Sequence, residues 1–320
     1  MVSVCMITYN HEAYISQAIA GVMAQKCTFA FELVIGVDAC TDSTLQICEA
    51  MQSKHPDVIR VLPAEERLGM LGNLNRALLA TRGKYIAFCE GDDYWTDPGK
   101  LQMQVDFMEA HPDYILTSTR FRWVDSNNDP MPKPKAHVRR DRDGYLEEIG
   151  FFDMIQDNYI STLTVCVVAE KMKRLIPNSP DYAFDYWYWL HLRCLGKIHR
   201  LNKETAMYRL HSQGVSHITN FFKRRWPLSK RDALLFYISK HPLREIDLGK
   251  RKILLNVILY LLANRNITLL EKKQLAKIFL LNAHRFAVPL LVMLPDLISR
   301  LFSRVWSRQP WCFANNTPTT

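Results

Sequence analysis

An α/β domain built on a nucleotide-binding type of mixed sheet flanked by helices, followed by a helical C-terminal region, is what this 320-residue sequence predicts. Three observations carry that expectation. Strand-like and helix-like segments alternate through the front half. The polar residues that stand out there, Thr8, Asp38 and Asp93, fall at or just past the ends of the strand-like runs, where ligands sit in open α/β sheets. From about residue 220 the texture changes to long helices with lysine and arginine on their polar faces. The expected division is therefore residues 1–219 and residues 220–320.

The strand and helix segments run in order along the chain. VSVCMITY (2–9) is apolar and β-branched and stops at Asn10, after which Tyr14, Ile15, Ala18, Ile19 and Val22 share one helical face. FELVIGVD (31–38) is a second strand, and CTDST then opens a helix with Asp42 or Ser43 as its cap. IRVLP (59–63) is a short third strand. A helix over residues 69–80 leads into KYIAFCE (84–90), the strand that delivers an acidic pair. After Asp97–Pro98 come a helix from Gly99 to Ala110 and a strand over YILTSTRFRWVD (114–125). Residues 126–148 are polar, rich in proline and charge, and read as a loop. STLTVCVV (161–168) returns to the sheet, and an aromatic helix covers residues 181–195. Its run Tyr186–Trp187–Tyr188–Trp189 cannot all be buried on one face, so one or two rings are expected to be free for an acceptor, with Trp187 in the core.

Charge divides the chain as the elements do. Residues 1–219 carry 23 Lys+Arg against 27 Asp+Glu, whereas residues 220–320 carry 18 against 5. The eight cysteines include no CxxC pair, and several lie in apolar runs. They read as reduced structural thiols of a cytosolic protein, not as a zinc site. The N-terminus reads as a strand and not as a signal peptide. The apolar run 278–302 is interrupted by His284, Arg285, Pro289, Pro295 and Asp296, which suits a helix in a membrane interface better than a span.

The chemistry concentrates in EGDDYWTDP (90–98). Adjacent carboxylates cannot both enter an apolar core, and at a sheet's carboxyl edge they can face a ligand. Two readings remain open on this pattern alone. One is a site for Mg²⁺ or Mn²⁺ with phosphate oxygens, and the other is a solvated turn.

VSVCMITYNHEAYISQAI, FELVIGVDACTDST and GKYIAFCEGDDYWTDPGKL, in this order and spacing, resemble the family 2 glycosyltransferases of the GT-A fold over about residues 1–215. The resemblance implies an inverting transferase moving sugar from a nucleotide sugar, UDP-linked, to a glycan hydroxyl with Mn²⁺ or Mg²⁺. It implies Asp93 as the metal ligand and Asp92 on the ribose or the metal. It places Thr8 and Asn10 in the nucleotide pocket, Asp38 on the uracil ring, and Arg67 near the base or phosphate. Family members often carry two aspartates where this chain has Val37–Asp38. Asp185, before a W-x-L-R-L-type helix, matches the catalytic base, with Asp181 as fallback; a helix cap is the other reading. Arg209 and His211, from the Y-R-x-H segment, would act near the diphosphate, or His211 on the metal.

The basic tail predicts docking on an anionic membrane, hence a cytoplasmic protein peripheral on the inner membrane face and a lipid-linked glycan acceptor in surface polysaccharide or lipopolysaccharide synthesis. Packing on the catalytic domain or homodimer formation is the alternative for these helices. Nucleic acid is not expected as a partner, since no recognition module accompanies the charge. A sugar-nucleotide pyrophosphorylase would show a G-x-G-T-R-like loop where this chain has TYNHEAY. A degenerate transferase serving as a glycan-binding or scaffold protein is the competing reading, separable by UDP-sugar hydrolysis.

Overall fold

The computed structural model describes residues 1–132, 146–214, 219–241 and 245–281. It divides into two compact units, Met1–Lys240 and a second beginning at His241.

The first unit starts with the expected alternation: β1 (Val2–Thr8), α1 (Ile15–Met23), β2 (Phe31–Val37), α2 (Thr44–Lys54), β3 (Ile59–Pro63), α3 (Gly69–Ala80) and β4 (Tyr85–Phe88). It continues through β5 (Tyr94–Trp95), α4 (Lys100–Ala110), β6 (Tyr114–Val124), β7 (Pro130–Met131), α5 (Phe151–Met154) and β8 (Cys166–Val168). The last elements are α6 (Ala169–Leu175), α7 (Asp185–Arg193), β9 (Lys197–Arg209) and α8 (Thr219–Lys240). The strands form one mixed sheet in the order β3-β2-β1-β4-β8-β6-β9-β5, with β7 paired to β6. Strands β3, β2, β1 and β4 are mutually parallel. Beyond β4 the direction alternates: β8 is antiparallel to both neighbours, β9 runs parallel to β6, and β5 is antiparallel to β9.

Burial explains the first half. The near-continuous apolar runs of β1 and β2 are covered on both sides, as parallel strands must be. Ile15, Ala18, Ile19 and Val22 of α1 are fully buried against them, while Tyr14 is the half-buried residue that starts the helix. Ser43 stands at the α2 cap position, but Asp42 does the capping: its Oδ1 accepts Thr44 N at 3.0 Å and its Oδ2 accepts Glu12 N at 3.0 Å. The second of these bonds ties α2 to the loop after β1.

Three expectations are corrected. Residues 161–168 do not form one strand; Thr162–Thr164 make a 3-10 turn before β8. Thr164 Oγ1 donates to Ser161 O at 2.6 Å, so a local bond competes with the ladder there. Strand β9, which pairs along β6, lies where no strand was expected. The aromatic run of α7 is buried in its entirety: Tyr186, Trp187, Tyr188 and Trp189 are all 4% exposed or less. One face of α7 meets the sheet, where Trp189 packs edge-on against Phe88 at 5.7 Å. The other is roofed by α8, whose Asp232 Oδ2 accepts Trp187 Nε1 at 3.1 Å. Helix α8 therefore sits in the first compact unit.

The described cysteines are free thiols. Burial pushes Cys48, Cys166 and Cys194 up to about 12.

The second unit contains α9 (Leu248–Ala263) and α10 (Leu269–Leu281). Leu254, Leu255, Ile258, Leu261 and Leu275 have no exposed surface and, with Ile267, form its core. Thr268 and Glu271 cap α10 reciprocally, Thr268 N donating to Glu271 Oε2 at 2.7 Å and Glu271 N to Thr268 Oγ1 at 3.3 Å. Of the apolar run 278–302, residues 282–302 lie outside the described residues, as does 133–145 of the expected loop. Among the described residues no helix is long and apolar enough to cross a membrane.

Candidate active site

A cavity of about 430 Å³ opens at the carboxyl ends of β1, β2 and β4. Thr8, Asn10, Asp38, Arg67 and Asp92, picked out from sequence, line it, and His11 and Glu90 join them.

The turn after β1 is built for close approach. Asn10 adopts a left-handed backbone (φ 53°), which asparagine tolerates, and its side chain is spent on the neighbouring loop. Asn10 Oδ1 accepts Thr41 N at 2.9 Å, and Nδ2 donates to Thr41 Oγ1 at 3.1 Å. Asp38 follows β2, with 3% exposure, and its Oδ1 accepts Leu68 N at 2.6 Å. That bond fixes the loop carrying Arg67, whose guanidinium lies 3.9 Å over the Tyr9 ring. Gly91, after β4, leaves no room for a side chain: a Cβ would sit 2.7 Å from Thr8 Oγ1 and 3.0 Å from His11 Nδ1. Glu90 and Asp92 thus flank a point of tight contact between the two strand ends.

The two aspartates turn opposite ways. Asp92 Oδ2 lies 3.0 Å from His211 Nε2 and 3.8 Å from His11 Nε2. These are the groups among the described residues whose donor atoms cluster closely enough for a metal ion, all within 4.8 Å of one another. Asp93 is buried, and its Oδ1 accepts Arg209 N at 2.8 Å. The carboxylate expected to face a metal is therefore turned onto β9, and its neighbour faces the cavity. Arg209 is placed differently too. Only 2% exposed, it donates from Nε to Asp92 O at 2.8 Å and from Nη2 to Gln17 Oε1 at 2.7 Å, with Tyr14 and Tyr94 rings beside it. It braces the acidic loop and does not line the cavity.

The electrostatics favour a bound cation. Burial raises the Glu90 carboxyl to about 8, helped by the Asp92 charge. Burial likewise pushes Asp93 well above its ordinary value, with Asp92 and Glu90 adding to it. Burial alone would raise Asp92 as well, but the His11 and His211 imidazoles outweigh it and hold the group below its ordinary value. Burial, the largest effect, lowers His11 against the pull of the Asp92 charge and so favours the neutral imidazole that a metal takes. Glu90 Oε2, Thr8 Oγ1 and His11 Nδ1 are buried without a hydrogen-bond partner. Glu90 Oε2 and Thr8 Oγ1, unpartnered oxygens beside a carboxylate–imidazole cluster, match the donor set of a divalent metal carrying an oxygen-rich ligand.

Asp185 opens α7 within electrostatic reach of Glu90. Its Oδ1 accepts Tyr186 N at 2.6 Å, and its Oδ2 accepts the Thr162 hydroxyl at 3.2 Å. Thr162 also lowers the Glu90 carboxyl while the Asp185 charge raises it, which places Thr162 near both carboxyl groups. Asp181, the fallback, is exposed, with its carbonyl taken by Arg225. His11, Glu90 and Thr162 were not singled out from sequence. The signal for the first two was present: His11 follows Asn10 directly, and Glu90 and Asp92 bracket a glycine.

The sequence profile described as Glycosyl transferase family 2 matches residues 3–171, over half the chain. The chain belongs to glycosyltransferase family 2. It is a glycosyltransferase of the GT-A fold. An uncharacterized protein of Mycobacterium tuberculosis is 32% identical over 259 residues, 78% of this chain and 72% of that one. The UDP-Glc:alpha-D-GlcNAc-diphosphoundecaprenol beta-1,3-glucosyltransferase WfgD of Escherichia coli is 28% identical over 262 residues, 74% of this chain and 92% of that one. Among solved structures, S. aureus TarS 1-349 in complex with UDP-GlcNAc superposes with a TM-score of 0.56 at 19% identity, covering 82% of this glycosyltransferase and 80% of TarS. The mannosyltransferase PcManGT from Pyrobaculum calidifontis, in complex with GDP-Man and Mn²⁺, gives a TM-score of 0.53 at 19% identity, covering 95% and 82%. Relatives of this glycosyltransferase thus include the putative teichuronic acid biosynthesis glycosyltransferase TuaG of Bacillus subtilis, and its fold neighbours TarS and PcManGT bind nucleotide sugars.

Proposed function

We propose that the protein transfers a sugar from a UDP-sugar, with inversion, to a hydroxyl of a lipid-linked glycan in surface-polysaccharide synthesis. The observation that carries this reading is the cavity at three strand ends lined by Asp38, His11 and Asp92, with His211 reaching Asp92 from after β9.

Each part of the donor finds a partner of fitting chemistry. Asp38 Oδ1 is committed to Leu68 N, which leaves one carboxylate oxygen for a base. One acceptor suits the single N3–H of uracil, whereas guanine offers two adjacent donors and favours both oxygens. Asp92 Oδ2 with the Nε2 atoms of His11 and His211 would hold the metal, and two imidazoles favour Mn²⁺ over the harder Mg²⁺. Bound there, the ion supplies neutralisation of the departing diphosphate. Glu90, with its unpartnered Oε2, is suited to accept hydroxyls of the donor sugar.

Asp185 acts as the base. Its Oδ2 takes the proton of the acceptor hydroxyl as that oxygen attacks the anomeric carbon opposite the leaving nucleoside diphosphate, and Tyr186 N and Thr162 fix its direction. One displacement converts an α-linked donor into a β-linked product. WfgD, named for a diphosphoundecaprenol-linked acceptor, supports the lipid-linked class, and the basic C-terminal region supports attachment to the cytoplasmic face of an anionic membrane.

The test is a panel of UDP- and GDP-sugars with Mn²⁺ and a GlcNAc-diphosphopolyprenol acceptor, read by product NMR. An inverted product from a UDP-sugar, abolished in Asp185→Asn with UDP binding intact, supports the scheme. A product of retained configuration contradicts it, and loss of UDP binding in Asp185→Asn would make Asp185 a structural residue.

A further inference from the structure

We infer that the outward face of α10 is the surface by which the second unit inserts into an anionic lipid headgroup layer. This deepens the proposed membrane attachment and rests on it, but it moves the contact from the apolar run 278–302 to a defined helix face.

Helical spacing puts Leu269, Leu270, Lys273, Lys277 and Leu280 within one arc of α10, and all five are exposed or half-exposed. The three leucines are 72%, 69% and 69% exposed, among the most exposed large apolar residues described. Leu275, on the opposite side, is fully buried, so the helix is already anchored by its other face. Glu271, the acidic residue of α10, is half-buried off this arc and occupied in the cap with Thr268. The exposed arc therefore combines apolar side chains with positive charge and carries no negative charge.

That composition selects its occupant. A second copy docked face to face would bring Lys273 and Lys277 against their own equivalents, an unfavourable like-charge contact. The chain after residue 281 carries four arginines against one aspartate and offers these lysines no complement. An anionic bilayer satisfies both halves. Leucines enter the acyl boundary while the lysine stems extend to phosphate level, and each basic group adds attraction near the surface.

The experiment is vesicle flotation of the full chain with phosphatidylglycerol–phosphatidylcholine or pure phosphatidylcholine vesicles, alongside the triple variant Leu269→Glu, Leu270→Glu, Leu280→Glu. These sites are exposed, so the fold should stand, which UDP/Mn²⁺ binding to the cavity of the first unit and circular dichroism would check. The wild type is expected to float with the anionic vesicles only, and the variant to lose about tenfold or more in vesicle affinity. A variant that floats like the wild type overturns the assignment of this face while leaving membrane attachment standing. A wild type that fails to float overturns the attachment itself. Equal flotation on neutral vesicles removes the role of the lysines, and a dimer lost in the variant would make a second copy the occupant.

Discussion

Asp92 and Asp93 are neighbours with different work, and the difference lies in where their oxygens end. Asp92 Oδ2 meets two imidazoles at the cavity, whereas Asp93 Oδ1 holds the backbone of Arg209. Asp92→Asn is therefore expected to weaken Mn²⁺ binding strongly, measured by electron paramagnetic resonance of the free ion. Asp93→Asn keeps an oxygen for Arg209 N and should leave Mn²⁺ binding within a few-fold of wild type. Gly91→Ala should destabilise by about 1–3 kcal/mol through overpacking against Thr8 and His11, read as a lower denaturation midpoint. The sequence shows that carboxylates sit at this strand end but not which one faces the ligand. Strand alternation stops at the strand, and the turn at Gly91 resets the direction in which Asp92 and Asp93 point.

Among the elements, α7 and α8 act together. Asp232 on α8 accepts from Tyr182 and from Trp187, one on each side of Asp185, and pairs with Arg231. Phe151 of α5 stacks on Tyr237 of α8 at 4.1 Å, adding a second tie. Asp232→Ala leaves those donors unpaired and should cost about 2–3 kcal/mol, seen in chemical denaturation. A chain cut after residue 219 loses this roof over four aromatic side chains and is expected to aggregate, whereas one cut after Lys240 should stay folded and bind UDP. Solubility and thermal midpoint of the two truncations decide it. Helix α8, with which the basic texture begins, belongs to the first unit. Contacts across 45 residues, such as Asp232 with Trp187, leave no periodicity to read. Strand β9 is not legible in the sequence for a related reason: its central residues are exposed or half-buried and polar, and its pairing with β6 decides its conformation.

At the scale of the whole molecule, the front half was legible because parallel strands and their covering helices write their burial into apolar runs and one-sided faces. Strands β1 to β4, α1 and α3 fall where the spacing places them. The cavity was legible for the same reason, since Thr8, Asp38 and the acidic loop close strands that lie side by side. His211 arrives after β9, from more than a hundred residues away, and its place beside Asp92 was readable only through the family resemblance. The buried thiols should resist alkylation in the native state at neutral pH, since burial holds Cys48 and Cys166 near 12, and rapid labelling of either by iodoacetamide would contradict that burial.

One measurement bears most directly on the donor site: calorimetric titration of UDP into the wild type and Asp92→Asn, each with and without Mn²⁺. The expected result is UDP binding that strengthens with Mn²⁺ in the wild type and loses that dependence in the variant. UDP binding indifferent to Mn²⁺ in the wild type, or an unchanged Mn²⁺ dependence in Asp92→Asn, would contradict a metal held by Asp92 at the ends of β1, β2 and β4.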